Sequence, residues 1–164
     1  MDLNNLEKAL EGEQKYRLGQ AKTAVFQELI ESWQEAAVLP LKLRQKLNEK
    51  CPLSVKAEVF PSKTKDAIKA RIALKDGSKI ESVLMRHIDG RNTVCVSSQA
   101  GCPLGCKFCA TGKMGFERNL EPFEIIEQVI FFARYLKKER EKVTNIVFMG
   151  MGEPFLNYGN VISA

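Results

Sequence analysis

The sequence predicts an α/β fold in which a small helical domain and an antiparallel β-hairpin element precede the start of a (β/α) barrel. Three observations predict this fold class. Apolar residues recur at helical spacing up to residue 47, alternation with a period of two begins near Val55, and a strand–loop–helix–strand pattern follows from residue 92. We therefore expect domains at residues 1–52, 53–91 and 92–164.

The composition is typical of a soluble globular protein. Of the 164 residues, 45% are hydrophobic and 27% are charged, which excludes a disordered tail. No apolar run is long enough to span a membrane, and the first residues lack the basic and apolar regions of a secretory leader. We therefore expect a cytoplasmic protein without membrane association. The five cysteines, an odd number, favour a reducing compartment and metal binding over a disulfide framework.

The formal charge of +5 is unevenly distributed. Residues 1–39 hold four basic and seven acidic side chains, residues 40–80 hold eleven and four, and residues 81–164 hold ten and nine. The net charges are therefore −3, +7 and +1. A basic middle third suits RNA phosphates, and a solvated surface explains it equally well. Because no aromatic residue is interleaved for base stacking, charge alone leaves both interpretations open.

Residues 16–37 have the pattern of one amphipathic helix, and residues 41–47 that of a second. Pro40 separates them, because proline interrupts a helix. In the second segment Leu43 and Leu47 would face inward, and we interpret Cys51, which follows, as structural. The apolar positions of the first segment would form its buried face: Leu18, Ala21, Val25, Phe26, Leu29, Ile30 and Trp33.

A β-hairpin is predicted after residue 66. The run AIKARIAL alternates apolar with basic residues, and the run KIESVLM follows the dipeptide Asp76-Gly77. Asp-Gly between two alternating runs is a strong hairpin signal. Glu81 lies on the returning strand, where the pattern by itself predicts only a solvent-facing side chain.

The remaining chain predicts a right-handed βαβ unit. The β-branched run NTVCVSS, residues 92–98, would be the first strand, and Cys95 within it is by pattern a buried structural residue. Pro122 occupies the position of a first helical residue, and helical spacing then continues to the charged run KKEREK. The run VTNIVFMG is nearly continuous in apolar residues, which predicts a parallel strand buried on both faces.

The stretch GCPLGCKFC, residues 101–109, carries three of the five cysteines. Thiolates are soft ligands, so Cys102, Cys106 and Cys109 on one turn-rich loop are suited to an iron–sulfur cluster or zinc. A structural zinc site normally takes a fourth protein ligand, whereas three thiolates leave one iron of a cubane cluster open for chemistry. The alternatives are buried small hydrophobes, or a zinc site completed by His87, the only histidine.

A glycine-rich bend, MGMGEP at residues 149–154, follows the last predicted strand. Ligands of parallel α/β folds gather at the carboxyl ends of the strands, so Glu153 is well placed to bind a cationic group. Gly150 and Gly152 would allow close approach of the backbone. The alternative is an ordinary turn with Glu153 in solvent.

The cysteine triad, with VCVSSQAGC before it, KFCATG after it and MGMGEP further on, resembles the radical S-adenosylmethionine (SAM) superfamily. The flanking residues are similar to those of its adenine-C2 RNA methyltransferases. The resemblance implies a partial barrel, here incomplete, with a 4Fe–4S cluster held by Cys102, Cys106 and Cys109. It also implies that SAM binds this cluster and contacts Gly152 and Glu153.

The resemblance further implies a two-stage reaction on C2 of an adenosine in 23S rRNA and in the anticodon loop of tRNA. One SAM methylates a cysteine late in the sequence, and a second SAM supplies the radical that activates this methyl group. Glu81 matches the family's general base, and Cys95 matches the cysteine whose transient disulfide with the late cysteine releases the product. The implied partners are these RNAs and an electron donor such as flavodoxin, and we expect a monomer.

The chain departs from this family in its length. An eight-stranded α/β barrel takes about 250 residues, whereas this sequence ends at Ala164 after two strands of the βα pattern. We therefore expect an N-terminal fragment that lacks the late cysteine and is inactive alone. Two other functions stay open: a zinc-dependent RNA-binding module that uses the triad with His87, and a C8-specific rRNA adenine methyltransferase of the same superfamily. Glu153-Pro154 favours the C2 enzymes over the C8 enzymes.

Overall fold

The computed structural model describes residues 3–164 and divides the chain into two compact units. One unit ends at Ser54 and the other begins at Val55. The finer division at residues 52 and 91 stays a prediction. Within residues 3–164 no helix has the length and apolar character needed to cross a bilayer.

The first unit is helical, as the sequence predicts. Its elements are α1 (Leu3–Ala9), α2 (Tyr16–Phe26), a short 3-10 helix (Trp33–Glu35) and α3 (Leu41–Lys50). Leu6, Val25, Trp33 and Leu47 are fully buried and form its core. The Trp33 indole N–H donates to the carbonyl oxygen of Cys51 at 2.7 Å, so the one polar atom of this buried side chain is satisfied.

The prediction of one helix over residues 16–37 is wrong, because α2 ends at Phe26. Leu29 has a positive φ of 53°, which no α-helix accommodates. Ser32 and Glu35 then form a reciprocal capping box that begins the 3-10 helix. The helical spacing of apolar residues persists across this break because Ile30 and Trp33 return to the same core.

The second unit contains the strands. In chain order its elements are β1 (Lys56–Pro61), β2 (Ala67–Ala73), β3 (Lys79–Arg86), β4 (Asn92–Cys95), β5 (Gln99–Gly101), α4 (Ala110–Met114), β6 (Phe116–Asn119), α5 (Pro122–Lys137), β7 (Asn145–Val147), a 3-10 helix (Pro154–Asn157) and α6 (Tyr158–Ser163). The main sheet has the order β1-β2-β3-β4-β7, and β5 pairs with β6 in a second sheet.

The α/β fold class is confirmed. Strands β2 and β3 are antiparallel around the Asp76-Gly77 turn, in which the Gly77 N–H donates to the carbonyl oxygen of Leu74. Strands β4 and β7 are parallel, and α5 lies between them in the chain. Helix α5 begins at Pro122 as predicted, where Glu121 and Glu124 form a capping box.

The two faces of the main sheet differ in what covers them. One face packs against α5 in a single hydrophobic cluster, and we call it the core face; its members include Ile68, Ile72, Ile80, Leu84 and Val94 with Ile125, Phe132 and Leu136 of the helix. Successive side chains of a strand alternate between faces. The residues between them therefore lie on the opposite side, here called the open face: Lys56, Glu58, Phe60, Lys69, Arg71, Ala73, Lys79, Glu81, Val83 and Cys95.

The prediction that the last strand is buried on both faces is wrong. Ile146 in β7 is 49% exposed, and Met149 just after the strand is 82% exposed. Strand β7 stands last in the sheet order and pairs with β4 alone, so its side chains have strand neighbours on one flank only. A continuous apolar run predicts burial only where other elements cover both faces of the strand.

Candidate functional site

The cysteine loop runs from the end of β5 to the start of α4. Three backbone hydrogen bonds shape it: the Cys102 N–H donates to Gly115 O at 2.9 Å, the Cys109 N–H to Cys106 O at 3.0 Å, and the Lys113 N–H to Cys109 O at 3.3 Å. Cys102, Cys106 and Cys109 are all free and half-buried. The loop therefore presents three thiols from a backbone that is itself hydrogen-bonded.

Gly101 is required where this loop begins. Its φ is +75°, a left-handed conformation that side chains rarely adopt, and a Cβ there would lie 2.0 Å from the carbonyl oxygen of Gly115. That carbonyl accepts from the adjacent Cys102 N–H. A side chain at residue 101 would therefore displace the contact that anchors the first cysteine.

The donor set of this loop fits an iron–sulfur cluster. The backbone N–H of Gly112 lowers the pKa of the Cys109 thiol, which favours the thiolate form that binds metal. Within residues 3–164 no three side chains among the Asp, Glu, His and Cys residues are already grouped around one metal position. The fit therefore rests on the number, type and exposure of the thiols.

His87 does not join the triad. Its ring Nε2 lies 2.9 Å from the Thr93 hydroxyl, and its backbone N–H donates to Arg91 O in the turn before β4. This turn adjoins the amino end of β4, whereas the triad follows the carboxyl end. The structure therefore gives no support to a zinc site completed by His87.

The MGMGEP segment is hydrogen-bonded along the residues that follow β4. The Gly150 N–H donates to Val96 O at 3.1 Å, and Met151 O accepts from the N–H groups of Ser98 and Gln99 at 2.9 and 3.2 Å. A Cβ at Gly152, whose φ is +91°, would lie 2.4 Å from Cβ of Gln99. Glycine is thus required at residue 152 for this close approach, as its sequence position suggested.

Glu153 lies at the end of that segment and is half-buried. Its backbone N–H donates to Oε1 of Gln99 at 2.9 Å, and its own Oε1 accepts from the Phe155 N–H at 3.1 Å. The carboxylate therefore caps the 3-10 helix that begins at Pro154. Gln99 is three residues before Cys102, so one buried side chain connects the Glu153 backbone to the strand that enters the cysteine loop.

Glu81 lies on the open face of β3. Its Oε2 is 3.1 Å from Nζ of Lys69, and both side chains are about half exposed, at 47% and 48%. Its backbone is held by the residues of the site, because its carbonyl accepts from the Ser97 hydroxyl at 2.5 Å and its N–H donates to Sδ of Met151 at 3.3 Å. Glu81 is thus tied to the MGMGEP segment through Met151.

Cys95 ends β4 on the same open face. It pairs with Val83, two residues beyond Glu81, and its carbonyl accepts from the Ser82 hydroxyl at 2.7 Å. Cys95 is 9% exposed, and burial raises the pKa of its thiol. Cys95 forms no disulfide, so the structure gives no support to a disulfide at this residue.

A set of buried polar side chains, which was not predicted from the sequence, joins these segments. Gln128 of α5 accepts from the Ser97 N–H at 2.7 Å and donates to Ser97 O at 2.9 Å. The Ser97 hydroxyl accepts from the Met151 N–H at 2.8 Å, and the Gln99 amide donates to Asn119 at 2.8 Å. The signal was present, since the polar residues Ser97, Ser98 and Gln99 stand at the end of the strand predicted over residues 92–98.

The site therefore lies at the carboxyl ends of the parallel strands β4 and β7. The structure brings together Glu81, Cys95, Gly152 and Glu153 through Ser97, Gln99 and Met151. The cysteine triad follows from the same strand system, in the loop after β5. This end of the sheet is where parallel α/β folds bind ligands and carry out chemistry.

Comparison with known proteins gives the same picture. The family model for the radical SAM superfamily matches residues 96–163. The chain is 42% identical over 165 residues to the probable dual-specificity RNA methyltransferase RlmN of Dictyoglomus turgidum, an alignment that covers 99% of this chain and 47% of that protein. It is also 42% identical over 162 residues to the ribosomal RNA large subunit methyltransferase N of Nitrosopumilus maritimus, covering 93% of this chain and 46% of that protein.

A solved structure agrees with these relatives. The crystal structure of a radical SAM methyltransferase from Sphaerobacter thermophilus superimposes with a TM-score of 0.90 at 40% identity, over 99% of this chain and 48% of that one. The chain thus spans about half the length of the relatives that it matches. The chain therefore matches the radical SAM superfamily over residues 96–163 and is similar, over nearly its whole length, to about half of these methyltransferases.

Proposed function

We propose that the protein is an RNA methyltransferase that modifies C2 of an adenosine in 23S rRNA and in the anticodon loop of tRNA. The observation that carries this proposal is that the MGMGEP segment is hydrogen-bonded to the strand that enters the cysteine loop. Met151 O accepts from the backbone N–H groups of Ser98 and Gln99, and the Glu153 N–H donates to the Gln99 side chain. The names of the relatives point to RNA as substrate. Because the chain spans about half of those relatives, the activity is proposed for the whole protein.

In this proposal Cys102, Cys106 and Cys109 hold a 4Fe–4S cluster, and Gly152 and Glu153 contact SAM. SAM bound at a reduced cluster supplies the radical chemistry that C2, an unactivated aromatic carbon, requires. The role of this chain's residues is to hold the cofactors in place. The lowered pKa of Cys109 and the close packing of Gly152 on Gln99 support these assignments.

Glu81 is proposed to accept the proton that leaves C2. Its backbone is fixed from two sides by Ser97 and Met151, and its carboxylate is oriented by Lys69 at 3.1 Å. A general base must lie within hydrogen-bond reach of the proton it takes, so a fixed backbone with an exposed carboxylate is suited to the role. Cys95, on the same face, is proposed to act in release of the product.

The proposed partners are 23S rRNA, tRNA and an electron donor such as flavodoxin, and the protein is proposed to act as a monomer in the cytoplasm. A cluster held in this loop would need one electron from outside the protein to react with SAM, so a reductant is a necessary partner in this proposal. An exposed cysteine loop, with Phe108 at 93% exposure, is accessible to such a donor.

Anaerobic reconstitution with iron and sulfide tests the cluster assignment. We expect a brown wild-type chain, and loss of cluster iron in Cys102→Ala, Cys106→Ala and Cys109→Ala, since three ligands leave none to spare. Cys51→Ala is the matched control, because Cys51 lies in the helical unit outside the cysteine loop, and it should keep the iron. A colourless wild-type chain with stoichiometric zinc, or a triad variant with wild-type iron, would contradict the proposal.

A further inference from the structure

The open face of β1, β2 and β3 carries an aromatic side chain under a guanidinium group. Phe60 is 48% exposed, and Cζ of Arg71 lies 5.6 Å from the centre of its ring. The prediction that no aromatic residue is interleaved with the cations of residues 40–80 is wrong, since Phe60 lies between Lys56 and Lys63. The strand register sets Phe60 of β1 directly beside Lys69 of β2, diagonal to Arg71.

The acidic groups on this part of the face are already paired. Oε2 of Glu58 lies 2.6 Å from Nη2 of Arg71, and Oε2 of Glu81 lies 3.1 Å from Nζ of Lys69. Lys56 and Lys79, in contrast, form no ion pair with any residue of the described chain, 3–164. Two exposed ammonium groups therefore remain without compensating charge.

These two lysines flank one small residue. Lys56 and Lys79 are the cross-strand partners of Ala73 on its two sides. They line a cleft of about 260 Å³ together with Ala73, Glu58 and Arg71. A small residue between two unpaired cations leaves room for an anionic group between them, and a phosphate has the charge and the acceptor oxygens for this position.

We propose that this part of the open face binds single-stranded RNA, with a base stacked on Phe60 beside Arg71 and the adjoining phosphates bound by Lys56 and Lys79. The identity of the partner as RNA rests on the proposed function. A flat aromatic side chain with arginine stacks any unpaired base, and lysines contact the backbone, which is how sequence-tolerant single-strand binding works. A duplex keeps its bases stacked inside and cannot use Phe60.

The register connects this surface to the site. Phe60, Lys69, Val83 and Cys95 form one row across four strands on the open face. Strands lie about 4.8 Å apart, so Phe60 is about 14 Å along the sheet from Cys95. Glu81 lies on the same face, two residues from Val83. An RNA strand that stacks on Phe60 can therefore extend toward the proposed base without leaving the face.

Fluorescence anisotropy of the full chain with a labelled single-stranded RNA of about ten nucleotides tests the stacking contact. Phe60→Leu should weaken binding about tenfold, the effect of one lost stacking contact, and Phe60→Tyr should restore it. Phe123→Leu is the matched control, because Phe123 in α5 also lies under a cation, Lys75, at 5.7 Å, but on the core side of the sheet. It should bind as wild type.

Titrations at several salt concentrations test the phosphate contacts. Lys56→Gln and Lys79→Gln should each lower the slope of log affinity against log salt by about 0.7, since each removes one phosphate contact to a single strand. Lys142→Gln removes an exposed lysine from the segment before β7 and should leave the slope unchanged. Far-UV circular dichroism of each variant monitors folding.

The proposal would be overturned by wild-type affinity in Phe60→Leu, by an equal loss in Phe123→Leu, or by unchanged salt slopes in both lysine variants. A duplex that binds as tightly as the single strand and depends equally on Phe60 would also overturn it. Failure of the proposed function is distinguishable, because it appears in the iron content of the chain. If the chain binds no cluster but Phe60→Leu still weakens RNA binding, the proposed RNA surface is supported although the proposed function is not.

Discussion

The core face and the open face of the main sheet are built from the same strands and differ in every property that matters for function. The core face consists of apolar side chains that are buried under α5, such as Ile68, Ile80 and Leu84. The open face carries ion pairs, an exposed aromatic ring and both proposed catalytic residues, Glu81 and Cys95. One side of each strand therefore stabilises the fold, and the other is free to carry chemistry.

Because of this difference, substitutions at neighbouring positions of one strand should affect stability and activity differently. A change on the core face should lower stability and reduce activity only through unfolding. A change at an exposed position of the open face should alter binding or chemistry and leave the free energy of unfolding nearly unchanged. Substitutions at four residues distinguish these outcomes: Leu84, Gln128, Asp76 and Lys69.

The largest effect is expected on the core face. Leu84 is fully buried, so Leu84→Ala should lower the free energy of unfolding by about 2–5 kcal/mol. Its neighbour Val83 lies on the open face, and Val83→Ala should cost less than about 1 kcal/mol. Urea denaturation followed by circular dichroism measures both. Equal losses in the two variants would contradict the division into faces.

The next largest effect on stability is expected at Gln128, which hydrogen-bonds helix α5 to the backbone of Ser97 in the site. Gln128→Met keeps the volume of the side chain but leaves the Ser97 N–H and carbonyl without their partners in a buried position. We expect a loss of about 2 kcal/mol, again from urea denaturation. Gln128→Glu keeps an acceptor for the Ser97 N–H but buries a carboxylate against the Ser97 carbonyl, so it should lose at least as much. A neutral Gln128→Met would show that these bonds do not stabilise the fold.

A smaller effect on stability, limited to acidic pH, is expected at Asp76 in the turn between β2 and β3. The Arg118 guanidinium lowers the pKa of Asp76 from 3.8 to about 2. A depressed carboxyl pKa adds stability that is present above the unfolded value and is lost as the pH falls through the folded value. The wild-type chain should therefore lose this contribution between pH 4 and pH 2.

Asp76→Asn lacks the titrating group and should show a flatter decrease in unfolding free energy over the same acid range. Circular dichroism melts at several pH values measure the difference. An acid profile of Asp76→Asn that matches the wild type would show that the ion pair with Arg118 does not contribute to stability.

The smallest effect on stability is expected on the open face. Lys69 and Glu81 are about half exposed, and ion pairs of this kind contribute little in water. Lys69→Gln should therefore change the free energy of unfolding by less than about 0.5 kcal/mol. In a protein completed to the length of its relatives, the same variant should reduce methyl transfer if Lys69 orients Glu81. A large loss of stability would place this ion pair with the structural contacts instead.

Much of the sheet could be predicted from the sequence because its signals are local. The alternation in AIKARIAL and KIESVLM with Asp76-Gly77 between them fixes a turn, a register and two faces. The start of α5 at Pro122 was predicted for the same reason. The end of α2 at Phe26 was missed because the apolar spacing continues past it, although Ser32 and Glu35 carry a capping signal.

The contacts within the candidate site could not be predicted, because they join residues that are distant in the sequence. Gln99 meets Glu153 across 54 positions, and Gln128 meets Ser97 across 31. Only the register of several strands determines such pairs. The exposure of β7 was missed for a related reason, since it depends on which other elements pack against the strand and not on its own residues.

The hairpin register also determines which changes in length related sequences can tolerate. Glu81 and Val83 share a face because a single residue, Ser82, separates them. Deleting one residue inside β3 would turn every later side chain of the strand to the opposite face, so that Leu84 would meet solvent. Residues added at the Asp76-Gly77 turn leave both strands in phase. Relatives that keep this sheet should therefore vary freely in the length of the turn, and differ within β3 by even numbers of residues or not at all.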